Sequence, residues 1–559
     1  MNSGVDGSQQ AEVPMPEQGG QRAVTEPRGS RRLRWESHIG AFLQRIAGGY
    51  LALVGLGVLI TPVRSPSGYS AVAAAAIAVL TVAVWCWWFV ARRRRTDRSP
   101  RVTGRYGLAF GVVLAAVLSA FSAVIAISQT YVVTWDAGVI RDGAAVHRLP
   151  AYLAKYFEMY SNNIPMLYIA RHVRSAGAHV GLGYSGSFVV LNTACLFVTL
   201  VAVHLLVRRL TGDGPGMVAQ VLTVVFVGIS PWMVVGYTDV LCMPCVMVGL
   251  VLAAYAAHAR RLRTQTACYF GCCIVIGVGM LLKPTAVIVL IAAAAALLAT
   301  VVRRHRGRRL VIGLLVIVVG AGLCAGTEMS GSKFAIDRVG LSGQAINSSP
   351  ATPLSFIAGG LLEVHSKHGT TYGGFNYSLI RHENGKTPEQ VDRMSRHIIR
   401  EQLEQRGVLG TVGYEWSKSR WNWGDSTFWA YHEGSDITAR VIAHGPLVAT
   451  VRAWNHPGGR YYHLHNSVGN GIWFGLIMIS GFGLLIMTYR RDVALVALTV
   501  LGIALFTLIF QGRSRYLLPF VPAVIVLVCA LPGTRVAPYA RRIAARVPWN
   551  SSAGQAPTA

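Results

Sequence analysis

The sequence predicts an all-α polytopic membrane protein with about 12 transmembrane helices and two large loops outside the membrane. Three observations support this fold class. Of the 559 residues, 53% are hydrophobic and only 14% are charged, and the mean hydropathy is +0.44, which excludes an ordinary soluble protein. Apolar runs long enough to cross a bilayer recur along the chain, and arginine clusters fall between them.

The apolar runs define the predicted membrane spans. A helix needs about 20 apolar residues to cross about 30 Å of hydrocarbon, and runs close to that length recur through the sequence. The predicted spans cover residues 44–62, 70–91, 108–129, 186–207, 217–233, 239–257, 267–282, 284–302, 310–327, 469–489, 493–510 and 515–533.

The basic residues of the short loops set the predicted orientation. With the N-terminus inside, the short inner loops hold 19 Lys and Arg residues and the short outer loops hold 4. Because positive loop charge stays on the cytoplasmic side, both termini are predicted to be cytoplasmic in a multi-pass protein of the plasma membrane. This orientation leaves residues 130–185 and 328–468 outside.

These boundaries divide the chain into six parts. The first 38 residues are polar and lack the apolar core of a cleavable signal peptide. They are predicted to be a disordered cytoplasmic tail, and 535–559 a second one. The other parts are a helical hairpin at 39–106, a transmembrane core at 107–327, an external loop domain at 328–468 and the last transmembrane helices at 469–534.

The charge and the cysteines exclude other classes. The formal net charge of +28 comes from arginines in short clusters between apolar runs, rather than on one groove-sized face. No nucleic-acid partner is therefore predicted, and the lipid bilayer is the expected surroundings. The nine cysteines lie in or beside apolar runs, so no disulfide framework is predicted. The CxxC of Cys242 and Cys245 is interpreted as helix packing.

The second external segment carries helix signals of its own. In KTPEQVDRMSRHIIREQLEQRG, Thr387 and Gln390 form a capping box, Pro388 suits the first helical position and Gly407 suits the end. One apolar face is marked by Val391, Met394, Ile398 and Leu403. The pattern predicts an amphipathic helix that packs on the outer side of the membrane domain.

Two aspartates stand in the first external loop, within VVTWDAGVIRDGA. Asp136 lies in an apolar stretch, where a carboxylate is costly unless it pairs, meets water or binds a ligand. Asp142 is six residues further on, which is roughly the opposite face of a helix, and Arg141 is beside it. A solvated surface charge explains Asp142, so Asp136 is the favoured functional carboxylate.

Aromatic and amide residues follow in YFEMYSNNIP. Tyr152, Tyr156 and Tyr160 recur at helical spacing, which is typical of an aromatic stripe at a membrane interface. Asn162 or Asn163 is expected to cap the next helix. Capping accounts for one asparagine and leaves the second unexplained.

Further polar residues are predicted to meet on the outer side. GYTDVL places Tyr237 and Asp239 at the start of the sixth span. LLKPTAV places Lys283 at the next outer turn, and QGRSRYLLPFVP places Arg513 and Arg515 before the last span. A snorkelling or loop cation is the alternative for each one alone. Together they are three of the four cations of the short outer loops, and a lipid phosphate or pyrophosphate is the anion that they suit.

These motifs resemble the GT-C superfamily of membrane glycosyltransferases, in particular its protein-mannosyltransferase and aminoarabinose-transferase-like branch. The matching stretches are TWDAGVIRDGA, YFEMYSNNIPML, GYTDVL, LKPTAVIVLIA and SRYLLPFVP, within residues 108–533. The chain departs from the family pattern at Ala137, where related enzymes often carry a second acidic residue, and in QGRSRY, where an acidic residue commonly precedes the basic pair.

The resemblance implies a GT-C-like fold and an enzyme that moves a sugar from a polyprenyl-phosphate donor to a cell-envelope acceptor, with inversion at the anomeric carbon. It implies that Asp136 is the catalytic base and that the donor phosphate binds Lys283, Arg513 and Arg515. The secondary acidic candidates are Asp142, Asp239 and Asp425. The candidate ligands of the sugar or acceptor are Tyr160, Asn162, Asn163, Tyr237 and Trp423. No metal ligand is assigned, and the need for a divalent metal, Mg²⁺ or Mn²⁺, stays open.

Alternatives remain at two levels. KSRWNWGDSTFW concentrates tryptophans around Asp425, and their faces suit carbohydrate, but packing of the loop onto the membrane domain is an equal alternative. For the whole chain the alternatives are a multispan transporter or lipid flippase and a noncatalytic subunit of envelope assembly. Against transport, the two halves show no evident repeat, and the polar residues gather outside rather than at the midplane.

Overall fold

The computed structural model describes residues 28–62, 68–96, 105–304, 306–343, 346, 351–366, 369–430, 442–443 and 445–533. Within these residues the chain is mainly helical, and ten helices are long and apolar enough to cross a membrane. The predicted all-α polytopic class is therefore confirmed. Residues 1–27 of the first predicted tail and the whole of the second, 535–559, lie outside the described part of the chain.

The first half of the chain forms three membrane helices, the helical segment at 130–185 that the sequence predicts to be external, and the central membrane helices. In order, the elements are α1 (Arg28–Ile60), α2 (Ala71–Thr96), α3 (Arg105–Ser128), α4 (Trp135–Ala145), α5 (Ala151–Met159), α6 (Ile164–His179), α7 (Tyr184–Thr211), α8 (Asp213–Thr223), α9 (Thr238–His258), α10 (Leu262–Leu282), α11 (Val287–Arg304) and α12 (Arg308–Val339).

The second half forms the large loop domain and the last membrane helices. Its elements are α13 (Pro353–Gly360), β1 (Glu363–Ser366), β2 (Gly369–Tyr372), α14 (Tyr377–Glu383), α15 (Pro388–Trp423), α16 (Pro446–Asn455), α17 (Tyr462–Ile486), α18 (Arg491–Ile509), a 3₁₀ segment (Ser514–Phe520) and α19 (Val521–Ala530). The two strands pair antiparallel, with Glu363 opposite Tyr372 and Ser366 opposite Gly369.

Some helix bounds differ from the predicted spans. Two of the predicted spans are shorter apolar helices, Asp213–Gly228 and Ser514–Ala530, since a π-helical turn ends the first and a 3₁₀ segment begins the second. α1 begins at Arg28, inside the predicted tail. α12 continues past residue 327 to Val339 and ends at Gly340, which adopts the left-handed φ of 78° that glycine tolerates as a helix cap.

The capping box predicted for α15 is confirmed. Thr387 N donates to Gln390 Oε1 at 2.9 Å, and Gln390 N donates to Thr387 Oγ1 at 3.4 Å. At Gly407 the φ of 58° breaks the regular helix, which then resumes and runs to Trp423. The predicted apolar face is only partly covered, because Val391 is buried whereas Leu403 is 44% exposed.

The loop domain packs against the membrane helices. α15 packs against α13, α1 and α18. Two backbone hydrogen bonds of 2.8 Å, from Gln511 N to Phe356 O and from Gly512 N to Gly373 O, tie the segment after α18 to this domain. The fold therefore fixes residues 511–513 between the membrane helices and the loop domain.

Candidate active site

A cavity of about 690 Å³ lies between the segment at 130–185, the start of α9, the turn before α11, the loop domain and residues 510–516. Most of the site residues predicted from the sequence line it. They are Asp136, Tyr160, Asn162, Asn163, Tyr237, Lys283, Arg513 and Arg515. These residues come from four separate parts of the chain, so the fold brings together what the sequence leaves far apart.

The backbone at the start of α4 directs Asp136 toward this cavity. Trp135, directly before it, has a φ of 51°, and such a left-handed conformation of a bulky residue costs about 1–3 kcal/mol. The indole packs edge-on against the rings of Trp232 and Tyr237, with centroids 6.1 and 5.0 Å away, and these contacts oppose that cost. Asp136 itself lies in the first turn of α4, where the helix dipole favours a carboxylate.

A hydrogen-bond chain holds the Asp136 carboxylate. Asn163 Nδ2 donates to Tyr156 Oη at 2.8 Å, and Tyr156 Oη donates to Asp136 Oδ1 at 2.7 Å. Tyr237 Oη is 3.4 Å from Asp136 Oδ2 and 3.2 Å from Asn163 Oδ1, so its single proton serves one acceptor at a time. The side chain of Asp136 remains 38% exposed to the cavity.

The role of Asn163 differs from the expected helix cap. Asn163 does precede α6, and Pro165 does lie in its first turn, but the Asn163 side chain makes no capping hydrogen bond. Its amide instead bonds the two tyrosines beside Asp136, while Asn162 Nδ2 donates to Asn163 Oδ1 at 3.3 Å. The capping prediction was therefore wrong, because Tyr156 and Tyr237 compete for the same amide.

Burial suppresses ionisation of the tyrosines around Asp136. Burial first, and then the charge of Asp136, raises the pKa of Tyr156 and of Tyr237 well above the usual range. The same two causes raise the pKa of Tyr160 to about 12. These hydroxyls therefore remain protonated donors at neutral pH.

Arg515 lies against the Asp136 carboxylate. Its Nη2 is 3.9 Å from Asp136 Oδ2, and its guanidinium lies over the rings of Trp135 and Tyr237, 4.9 and 5.3 Å from the centroids. The side chain is only 10% exposed. Aromatic faces and one carboxylate thus hold a cation at the wall of the cavity.

Lys283, in the turn between α10 and α11, forms a buried ion pair with Asp239 in the first turn of α9. Burial lowers the pKa of Lys283, and the nearby Arg515 adds to that shift while the Asp239 carboxylate opposes it. Asp239 does not line the cavity among the described residues, whereas Lys283 does. The structure therefore places Asp239 as the partner of a cavity lysine rather than as a direct ligand.

Residues outside the predicted motifs fix the loop that carries Tyr237. Asn192 Nδ2, on α7, donates to the carbonyls of Met233 and Val235 at 3.0 and 3.1 Å. Gln129 Nε2 donates to Ser230 O at 3.0 Å. Sequence reasoning missed Asn192 and Gln129, and a polar residue inside or at the end of an apolar run is the signal by which each was detectable.

Three other predicted candidates lie away from the cavity. Asp142 pairs with Arg141 at 2.9 Å and its side chain is 55% exposed. Trp423 is fully buried and stacks on Trp473 with the rings 6.2 Å apart. Asp425 accepts hydrogen bonds from Thr427 and Trp429 in its own turn. Asp142 thus has the position of a surface charge, and Trp423 and Asp425 have the positions expected if the loop packs onto the membrane domain.

Asp425 nevertheless connects the loop domain to the segment of Arg513 and Arg515, which with Lys283 form the cationic wall of the cavity. Its Oδ2 accepts a hydrogen bond from Ser514 Oγ at 3.1 Å, between Arg513 and Arg515 in sequence. Asp425 is 3% exposed, so this bond is shielded from water. The arrangement makes Asp425 a positioning residue for the segment that carries both arginines.

The described residues include no group of three or more His, Cys, Asp or Glu side chains placed to hold a metal ion. One further carboxylate, Glu383 at the end of α14, does line the cavity. Sequence reasoning missed it, because it follows Arg381 and His382 in a polar loop and looks like an ordinary surface charge.

A model of a protein family described as conserved hypothetical integral membrane protein matches residues 62–533. The chain belongs to this family. The match includes every residue assigned above to the cavity. A search of curated protein sequences gave no match.

Two solved structures of the oligosaccharyltransferase of Archaeoglobus fulgidus are similar to the chain. One, tethered to an acceptor peptide, is 11% identical, with a TM-score of 0.26, and the match covers 75% of this chain and 55% of that one. The other, a complex with Zn and sulfate, is 12% identical, with a TM-score of 0.23 and coverages of 71% and 53%. The chain thus spans about half the length of these proteins, and TM-scores this low leave the function to be argued from the cavity.

Proposed function

We propose that the chain is an integral membrane glycosyltransferase that moves a sugar from a polyprenyl-phosphate donor to a hydroxyl group of a cell-envelope acceptor. The observation that carries the proposal is the cavity itself. The Asp136 carboxylate shares it with three cationic side chains, Lys283, Arg513 and Arg515. A sugar phosphate needs this combination, because its transfer requires a base for the nucleophile and positive charge for the leaving group.

In the proposed reaction Asp136 takes the proton of the acceptor hydroxyl as the acceptor oxygen attacks the anomeric carbon. The bond between that carbon and the phosphate oxygen breaks, and the phosphate leaves with the electron pair. Arg515, Arg513 and Lys283 stabilise its charge. Direct attack from the opposite face inverts the anomeric centre. Tyr156 and Tyr237 orient the Asp136 carboxylate before the reaction.

The cavity also offers an apolar wall to the lipid part of such a donor. Phe356, Phe375, Phe506 and Phe510 line it on the side of the loop domain and of α18. An isoprenoid chain gains free energy when it leaves water for such a surface. The positive charge of the inner loops supports an extracytoplasmic position of the cavity, with both termini cytoplasmic.

The proposal is tested by substitution of the two aspartates of α4. The purified protein in lipid is assayed with a panel of radiolabelled polyprenyl-phosphate sugars and envelope extract. Asp136→Asn keeps the size and the hydrogen-bond acceptor but removes the base, so transfer falls by about 10²–10⁴-fold. Asp142→Asn, on the same helix and outside the cavity, keeps the wild-type rate and serves as the matched control.

Near-normal transfer by the Asp136→Asn protein removes Asp136 as the base. Absence of transfer by the wild-type protein with every donor contradicts the glycosyltransferase assignment itself. Neither substitution changes side-chain volume appreciably, so both variants are expected to fold. Size-exclusion profiles and thermal unfolding show whether each is folded.

A further inference from the structure

Glu383 is the second carboxylate of the cavity, and it comes from the loop domain rather than from the first external segment. It is the last residue of α14 and is only 7% exposed. Its Oε1 is buried and has no hydrogen-bond partner among the described residues. A buried carboxylate oxygen without a donor is costly, so a donor supplied by a ligand is a direct way to satisfy it.

The surroundings of Glu383 differ from those of Asp136. Burial raises the pKa of Glu383 to about 7, and a hydrogen bond with the Ser355 side chain opposes that shift. Ser355 Oγ also lies 2.9 Å from Thr352 O, so its one proton serves one of these two acceptors at a time. Asp136, by contrast, has a tyrosine donor at 2.7 Å and an arginine at 3.9 Å.

Tyr160 lies near both carboxylates of the cavity. The charges of both Asp136 and Glu383 raise the pKa of Tyr160, after the larger effect of burial. Both groups therefore lie within electrostatic reach of one phenol, and all three side chains line the cavity. A single ligand of the cavity can therefore occupy the space that Asp136, Tyr160 and Glu383 share.

The charge of Glu383 limits what that ligand group is. A carboxylate repels a phosphate, so the donor phosphate belongs with Lys283, Arg513 and Arg515. A neutral hydroxyl group can donate a hydrogen bond to the Glu383 side chain, and this bond is stronger when the carboxylate is ionised. Sugars present several such hydroxyls on a rigid ring.

We propose that Glu383 is a specificity-determining residue that accepts a hydrogen bond from a hydroxyl group of a sugar bound in the cavity. The sugar is either the one carried by the lipid donor or one of the acceptor glycan. The inference deepens the proposed function and rests on it.

The test measures binding as well as transfer. Affinities of the full-length protein in lipid are measured for polyprenyl-phosphate sugars, for polyprenyl phosphate without sugar and for donors that lack one sugar hydroxyl. Glu383→Leu removes both acceptor oxygens and Glu383→Gln keeps one neutral acceptor. Glu404→Gln, on the exposed surface of α15, is the matched control.

If the donor sugar is the ligand, wild-type protein prefers the full donor to one deoxy analogue by about tenfold or more. Glu383→Leu abolishes that preference and Glu383→Gln retains part of it, while affinity for polyprenyl phosphate alone is unchanged. If the acceptor sugar is the ligand, the KM for the acceptor rises instead and the donor preference is unaffected. Glu404→Gln behaves as wild type in both arms.

The preference of the wild-type protein for the full donor over the deoxy analogue rises as pH increases through about 7, because Glu383 then ionises and becomes the stronger acceptor. Glu383→Gln shows no such rise. Unchanged donor preference together with unchanged acceptor KM in Glu383→Leu overturns the inference. If only the proposed function fails, no sugar is transferred, but binding of the sugar-bearing donor still depends on Glu383. The two failures are therefore distinguishable.

Folding of the variants is checked by the pH dependence of stability. Because the pKa of Glu383 is about 7 in the folded protein and lower in the unfolded chain, the folded state binds more protons between these values. Stability from this group therefore falls as pH rises toward 7 and above. Glu383→Gln lacks this loss, so its unfolding temperature relative to wild type is higher at pH 8 than at pH 5.

Discussion

The two polar stretches at residues 132–165 and 418–429 have similar compositions and different structures. Both combine aromatic residues with aspartate and asparagine after an apolar or amphipathic run. Asp136 bonds tyrosines 20 and 101 residues away and remains open to a cavity. Asp425 bonds groups two and four residues away as well as Ser514, and at 3% exposed it does not open to the cavity. Access to the cavity, rather than residue type, therefore separates the candidate site from a structural turn.

The largest expected effect tests the structural side of this comparison. Trp423→Ala removes a fully buried ring that stacks on Trp473, and its Tyr50 neighbour loses an edge contact. Truncation of such a ring costs about 3–5 kcal/mol of stability. Chemical or thermal unfolding in lipid shows the loss, whereas transfer per folded molecule stays at the wild-type level.

The graded control is Trp423→Phe, which keeps an aromatic ring in the same space and loses less stability. A Trp423→Ala protein that unfolds like wild type but no longer uses its sugar substrate contradicts this assignment. That result returns Trp423 to the group of sugar ligands.

The next effect tests the cationic wall. Arg515→Ala removes the guanidinium beside Asp136, and the expected fall in kcat/KM for the lipid-linked donor is about 10²-fold or more. Arg515→Lys restores charge but not the planar fork that lies on Trp135 and Tyr237, so recovery is partial. Steady-state kinetics with varied donor concentration measure both variants.

A matched comparison comes from Arg452→Ala, in the last turn of α16, which lies outside the cavity lining. It is expected to leave donor use unchanged. Equal kinetics of Arg515→Ala and wild type remove Arg515 from the phosphate site.

Much of the fold was readable from the sequence, because the bilayer imposes length and hydropathy on each span. Local signals also sufficed for the start of α15, where the capping box needs only four consecutive residues. The bounds of α12 were missed, since its last turns leave the apolar pattern while the backbone continues to Gly340. Hydropathy marks where a helix crosses lipid and does not mark where it ends.

The candidate site was only partly readable. The cost of an isolated carboxylate singled out Asp136, and the count of outer cations singled out Lys283 and the two arginines. The capping function assigned to an asparagine was wrong, because tyrosines distant in sequence compete for Asn163. Glu383 reaches the cavity through the packing of the loop domain, and no local pattern encodes such a contact.

The smallest effect tests how Asp136 is held. Tyr156→Phe removes the hydroxyl that donates to Asp136 Oδ1 at 2.7 Å and leaves the ring in place. The lost hydrogen bond to a charged group is worth about 1.5–3 kcal/mol, so kcat falls by roughly tenfold or more while the KM for the donor changes little. Tyr152→Phe, on the same helix and 70% exposed, is the matched control. A Tyr156→Phe enzyme with the wild-type kcat shows that the remaining contacts from Tyr237 and Arg515 hold the carboxylate without Tyr156.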